Sequence, residues 1–251
     1  MIELNCQNYL NTYLNKKIIY QHKENCKNLM MILDTRLSLS LILVIKNALS
    51  KMQNFNLMII STKETINFLE KIFGKIPNKI EINKSKISLK EYSKILLDQN
   101  VWKKINEDRV LIFQSDTVIL RNISDDEFPK LSMLGPVCVN LKDEHKFMIN
   151  GGFSYRDKKL MLELCTNKII TSEVEDLFYT EQIRHHYPEL MPSISECNDF
   201  AIESIGNKLT AKGVHGTDKY YRSFEGYKEI FDTLDLTTYN ILNDYMDCII
   251  S

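Results

Sequence analysis

Glycine and proline are scarce in this chain, at eight and five among 251 residues. That scarcity excludes collagen-like and linker-rich architectures and leaves few, tight loops. Six cysteines occur, at positions 6, 26, 138, 165, 197 and 248, and no two are spaced C-x-x-C. A structural zinc site and a disulfide scaffold are both disfavoured by that scatter, so free, mostly buried thiols in a reducing compartment are expected. An excess of charge of one sign is also missing. Lys and Arg number 32 against 33 Asp and Glu, for a formal net charge of −1. No global field therefore draws in nucleic acid or an anionic membrane, and any polyanion must be bound locally. The longest apolar run, near LSLSLILVIKNAL, is too short for a transmembrane helix. The opening MIELNCQNYLNTYLNKK lacks a basic segment followed by an apolar one. The expectation is a cytoplasmic chain without a secretory leader. With no repeat and no linker, a single domain over 1–251 is expected.

What is present alternates between strand and helix patterns. NLMMILD (Asn28 to Asp34) is a short apolar run, and LSLSLILVIKNALSKM follows it with Leu37, Leu41, Val44, Ile45 and Leu49 spaced for one helix face. FNLMIIST (Phe55 to Thr62) reads as a second buried strand. In KETINFLEKIFGK, Ile66, Phe68, Leu69 and Phe73 share a side and Gly74 suits a helix C-cap. SLKEYSKILLDQNVWKKI is a third helical region, and RVLIFQSDTVIL is the next central strand. Successive β-α pairs predict an α/β fold with a mostly parallel sheet covered by helices. The second half offers LSMLGPVCVNL as a strand bent at Gly135-Pro136, a polar loop at Asp143 to Phe147, and MINGGFSYRDKKLMLELC as a Gly-Gly turn, a strand and a helix.

Polar residues recur where the parallel strands end. Asp34 and Arg36 follow the first, Ser61 and Thr62 the second, Asp116 the third. In an open parallel sheet these ends share one edge, the edge where ligands bind. For Ser61 and Thr62 a helix N-cap is the plainer reading. For Asp116 it is weaker, because the TVILRN that follows is β-branched rather than helix-like. Asn150-Gly151-Gly152 can bring backbone amides close to a ligand, or can be an ordinary hairpin turn. Ser172 with Glu175 fits a capping box, which leaves Asp176 as a candidate general base beside an apolar helix face. In LTAKGVHGTDKYYRS, His215 is a candidate metal imidazole and Lys219 a candidate phosphate contact. His185 and His186 read as a cationic helix end. Together these supply a metal carboxylate, a metal imidazole, a phosphate lysine, a Gly-Gly cradle and a base, the set that a metal-dependent nucleotide-sugar transferase requires.

The order of LIFQSDTVILRN, INGGFSYRDKKLMLE, EDLFYTEQI, ECNDFAIES and KGVHGTDKYY resembles GT-A-like glycosyltransferases found in bacteria, fungi and large viruses with DNA genomes, over about 28–221. The resemblance implies a GT-A-like (Rossmann-like) α/β fold, with a nucleotide-binding half over about 1–125 and an acceptor-binding half over about 126–251. It implies a nucleotide-sugar donor, a UDP-sugar, and Mn²⁺ or Mg²⁺. In such enzymes a D-x-D motif ends a central strand; here Gln114-Ser115-Asp116 stands in its place, so Asp116 keeps the metal role and Gln114 would meet the ribose. The Gly-Gly segment and the Glu175-Asp176 pair are similar to those of fringe-type inverting enzymes, in which the Asp is the base. VHGTDK is similar to the metal-His and phosphate-Lys loop of glycogenin-type retaining enzymes, mapping to His215 and Lys219. Asp34 and Arg36 fall where the first strand meets the nucleotide, and Asn150, Gly151 and Gly152 where the donor sugar or acceptor lies. A base carboxylate near the Gly-Gly turn favours inversion. The acceptor hydroxyl would belong to a glycan, protein or lipid. Two rival readings stand beside this one. A sugar nucleotidyltransferase requires a Gly-rich loop after the first strand, where DTRLSLSLILV has none. A non-catalytic module would keep the nucleotide-sugar site without turnover.

Overall fold

In the computed structural model, residues 13, 16–124, 132–138, 147–167, 169–203, 206 and 210–216 are described. The chain is α/β, with a mixed six-stranded sheet flanked by helices. The apolar runs become strands β1 (Asn28–Leu33), β2 (Asn56–Ser61) and β4 (Arg109–Phe113); every residue of β1 and β2 is buried, as in a sheet covered on both faces. Strand β3 (Asn78–Glu81) adds a less buried edge that the sequence pattern did not announce. The order is β3-β2-β1-β4-β9-β6, where β6 is Met133–Leu134 and β9 is Phe153–Asp157. The β1, β2, β3 and β4 pairings are parallel, whereas β9 runs antiparallel to both β4 and β6.

The chain starts at β1, moves outward through β2 and β3, then returns to β4 on the other side of β1. The β1–β4 boundary is therefore a topological switch point, where a crevice opens beyond the carboxyl ends of the strands.

Helix α1 (Leu39–Lys51) begins at Ser38, whose hydroxyl accepts from the Leu41 amide at 3.2 Å. Leu37 thus precedes the helix and is 41% exposed, not part of the buried face the spacing suggested. Helix α2 (Lys63–Phe73) is N-capped by Thr62 and ends at Gly74 with φ of 86°, both as expected. The third helical region is two helices. Leu97 ends α3 (Leu89–Leu96), and Asp98 caps α4 (Gln99–Lys103) by accepting from the Asn100 amide. Trp102 Nε1 and the Tyr179 hydroxyl both donate to the Leu96 carbonyl, satisfying the end of α3 from two directions.

In the second half, β7 (Val137–Cys138) pairs with β8 (Met148–Ile149), so the Gly135-Pro136 bend separates two strands. The Asn150-Gly151-Gly152 turn links β8 to β9, which pair with different neighbours; it is not a hairpin. Helix α5 (Lys158–Asn167) buries Leu160, Met161 and Leu164. Helix α6 (Glu175–His186), a short 3₁₀ turn (Pro188–Leu190) and α7 (Ile194–Phe200) follow. A three-stranded sheet then joins β10 (Ala201–Ile202), β11 (Gly213–Val214) and β5 (Val118–Ile119). Among the described residues no helix is long and apolar enough to cross a membrane. Cys26, Cys138 and Cys165 are half-buried free thiols, and only Cys197 of the described cysteines is fully buried.

Candidate functional site

A tight turn presents Asp116. The Thr117 amide donates to the Gln114 carbonyl at 3.1 Å, and the Gln114 amide donates to the Thr117 hydroxyl at 3.1 Å. Ser115 and Asp116 sit at the corner of that turn, half-exposed at the end of β4. The strand that leaves the turn, β5, pairs antiparallel with β11, Val118 opposite Val214. One residue further along β11 is His215. That register, between segments about a hundred positions apart, places the imidazole Nε2 3.5 Å from Asp116 Oδ1 and 3.1 Å from Gln114 Oε1. Asn47 on α1 holds β5 in place by mimicking a strand, accepting from the Ile119 amide at 2.7 Å and donating to its carbonyl at 3.0 Å. His215, the residue after β11, is 2% exposed, so it is not an exposed loop histidine.

The two glycines have a steric cause. A Cβ at Gly152 would collide with the His215 ring, and one at Gly151 would collide with Glu175 and Arg156. Their amides are already used: Gly151 donates to Asp176 Oδ2 at 3.2 Å and Gly152 to Asn150 Oδ1 at 2.8 Å. The Gly-Gly step thus lets His215 approach on one side and the Glu175–Asp176 pair on the other. The cradle of free amides expected from the sequence is replaced by this close packing.

Glu175 is the clearest correction. Its helix begins after Val174 with no side-chain cap, and the Ser172 hydroxyl accepts from the Val174 amide instead, so no capping box forms. Glu175 is 3% exposed and meets Arg156, itself 0% exposed, through Nη1–Oε2 at 2.6 Å and Nη2–Oε1 at 3.1 Å. Bound in a buried bidentate pair, it holds α6 to β9 and is not available as a proton acceptor. Asp176, next in the chain, is only partly buried. Burial, reinforced by the charge of Glu175, raises its pKa from 3.8 to about 6.

The nucleotide-side candidates meet at the switch point. A cleft of about 470 Å³ is lined by Asp34, Thr35, Arg36, Ser38, Lys86, Ser88, Tyr92, Gln114, Ser115 and Asp116, among others. Arg36 spans it, pairing with Asp34 through Nη2–Oδ2 at 2.9 Å and Nε–Oδ1 at 3.1 Å, and reaching the Ser115 hydroxyl at 3.3 Å. Ser61 is fully buried, and its hydroxyl donates to the Asp34 carbonyl at 2.5 Å. It therefore braces the loop after β1 and does not line the cleft. Lys219 lies outside the described residues.

Two residues carried no warning in the sequence. Tyr92 lines the cleft with a buried hydroxyl close to the Gln114 side chain. Glu203, after β10, is 3% exposed with Oε1 3.6 Å from His215 Nδ1, while the Cys138 thiol donates to its Oε2 at 3.6 Å. Burial, with Glu203 alongside, pushes the Cys138 thiol up to about 12, so it stays protonated as a donor. Only the folding of β10 against β11 brings Glu203 to His215, and no spacing rule announces it.

Among the described residues no group of three or more His, Cys, Asp or Glu side chains is placed to hold a metal ion. An open site is a different matter. Two cis ligands at ~2.1 Å from an ion stand ~3 Å apart, close to the 3.1 and 3.5 Å separating His215 Nε2 from Gln114 Oε1 and Asp116 Oδ1. The carboxylate and the amide oxygen are donors that suit Mn²⁺ or Mg²⁺, and the imidazole is a borderline one, with remaining positions left for water and phosphate oxygens.

No curated protein matches the chain. Residues 78–215 match the family described as "Protein of unknown function (DUF5672)", a segment that starts at β3 and ends on His215. It contains Gln114, Asp116, the Gly-Gly step, Glu175, Asp176, Glu203 and His215, and excludes Asp34, Arg36, Ser61 and Lys219. The match spans more than half of the chain, and the protein belongs to the DUF5672 family.

Proposed function

We propose that this protein is a metal-dependent glycosyltransferase that moves a sugar from a nucleotide-sugar donor, a UDP-sugar, to an acceptor hydroxyl with inversion. The observation that carries the reading is the meeting of Asp116 and His215 at 3.5 Å, beside a cleft at the sheet's switch point. Residues about a hundred positions apart within the family segment converge there, where nucleotides bind in doubly wound sheets.

Each group then has a task. The cleft between Asp34, Arg36 and Ser115 takes the nucleoside and the near end of the diphosphate. Asp116 and His215, with Gln114, would hold the divalent cation, whose chemistry is to offset charge on the departing diphosphate. Asp176, across the Gly151–Gly152 step, accepts the acceptor hydroxyl's proton as its oxygen bonds to the anomeric carbon. The bond from that carbon to the phosphate oxygen breaks on the opposite face, and its electron pair leaves with the nucleoside diphosphate. A carboxylate with a pKa of about 6 is ionised at neutral pH yet more basic than a solvated one, which suits that role. Buried Arg156 and Glu175 fix the helix start that aims Asp176.

Two measurements test the reading. In a melting panel of UDP, GDP and CMP with Mn²⁺, UDP with Mn²⁺ stabilises the protein, by about 2.7 kcal/mol at a hundred times the dissociation constant. Asp116→Ala abolishes Mn²⁺-stimulated turnover of UDP-sugars, with the unliganded melt measured to show that the variant is folded. Normal turnover by this variant sinks the assignment.

A further inference from the structure

Nothing in the proposed chemistry uses Glu203, although its burial makes it costly to keep. A carboxylate 3% exposed needs donors. Two face it, the Cys138 thiol at Oε2 and the His215 ring at Oε1, each at 3.6 Å. The backbone fixes this encounter. Strands β10 and β11 are parallel with Ile202 opposite Val214, and the His215 amide donates to the Ile202 carbonyl at 2.8 Å, so the next residue on each strand lies side by side.

The imidazole is asymmetric in its surroundings. Nε2 has two acceptors, Gln114 Oε1 and Asp116 Oδ1, within 3.5 Å. Nδ1 is buried with no hydrogen bond. A neutral imidazole has one ring proton to place. Placed on Nε2, it goes to Gln114 and the ring cannot bind a cation through that nitrogen. Placed on Nδ1, it leaves the Nε2 lone pair directed at Asp116 and Gln114, provided that an acceptor takes the Nδ1–H. Without one, a buried donor is left unsatisfied and the proton returns to Nε2.

We infer that Glu203 is a positioning residue that accepts the Nδ1–H of His215 and thereby frees Nε2 for the divalent cation. The inference rests on the metal reading above and adds a member to the site that does not touch the ion. Closing the 3.6 Å gap to a hydrogen bond of about 2.9 Å takes only a small tilt of the ring. Carboxylates in this relation to a ligating histidine are typically worth about 10- to 100-fold in metal affinity.

The experiment has two arms. Mn²⁺ is titrated by electron paramagnetic resonance, with UDP present, into the wild type, Asp116→Ala and Glu203→Leu, which has no acceptor for the Nδ1–H. The His215 tautomer is read from side-chain ¹⁵N shifts in wild-type protein saturated with Mg²⁺ and UDP, a measurement that needs no variant to fold. The expected result is an Nδ1-protonated ring in the wild type and Mn²⁺ binding weakened about 10- to 100-fold by Glu203→Leu. A proton on Nε2 in the Mg²⁺-loaded wild type overturns the inference. So does Mn²⁺ binding that Asp116→Ala abolishes and Glu203→Leu leaves intact, and that result keeps the metal reading. Wild-type protein that binds no Mn²⁺ overturns both.

Discussion

Replacing Asp176 by Asn should make the protein more stable at neutral pH while removing its proposed activity. The carboxyl's pKa rises from 3.8 to about 6 because burial and the neighbouring Glu175 charge both disfavour the anion. That displacement corresponds to about 3 kcal/mol, at about 1.4 kcal/mol per tenfold change. Partial exposure of the side chain argues for about 2 kcal/mol in practice. The sign follows from linkage. A group whose folded pKa is raised contributes its full stability below the unfolded value near 3.8, loses it as pH rises to about 6, and carries a constant penalty above. Asparagine never ionises, and its amide oxygen can still accept from the Gly151 or Leu177 amide, which Asp176 now satisfies at 3.2 and 2.8 Å. Urea unfolding of both proteins from pH 4 to pH 8 should therefore give nearly equal stabilities at the acid end. The difference in favour of Asp176→Asn should grow through the window and level off above pH 6. A gap that is flat across this range, or that favours the wild type at pH 8, refutes the claim that a strained carboxylate sits there.

Glu175→Ala should cost about 3–5 kcal/mol by urea unfolding, because it leaves the buried Arg156 guanidinium uncompensated; the double variant Arg156→Met/Glu175→Leu should recover most of that loss. Gly213→Ala should cost about 1–3 kcal/mol by the same assay, since the added Cβ would stand 2.5 Å from the Phe153 ring, itself stacked on Phe200 at 5.4 Å. Pairing it with Phe153→Leu should return part of that loss.

Local patterns made the parallel half of the sheet legible. The runs at 28–34, 55–62 and 109–113 are apolar on both faces because helices cover both sides, and Thr62 and Gly74 carry cap chemistry that depends only on neighbours in sequence. Strand β3 escaped because an edge strand half-exposed as NKIE has no continuous apolar run to declare it. At the site, residue types were legible and their partners were not. Glu175 sits three positions after a serine, which is the spacing of a capping box, yet the buried Arg156 on β9 outcompetes one backbone amide for it. Gly151 and Gly152 announced close approach correctly, but what approaches is a pair of side chains from α6 and from the end of β11. Glu203 was invisible because its meaning depends on a pairing between β10 and β11, and long-range register leaves no mark in spacing.

These features are connected by charge. Among the described residues, the side chains around the Gly151–Gly152 step include the carboxylates of Glu175, Asp176, Asp116 and Glu203, and Arg156 is committed to the first of them. Burial and the Glu175 charge raise the Asp176 pKa, and a cation held by Asp116 and His215, beyond the Gly151–Gly152 step, would act on it in the opposite sense. A divalent ion at Asp116 should therefore draw the Asp176 pKa back down. The stability gain of Asp176→Asn at pH 8 should then shrink when Mn²⁺ and UDP are added, because the ion's field favours the carboxylate that burial and Glu175 disfavour.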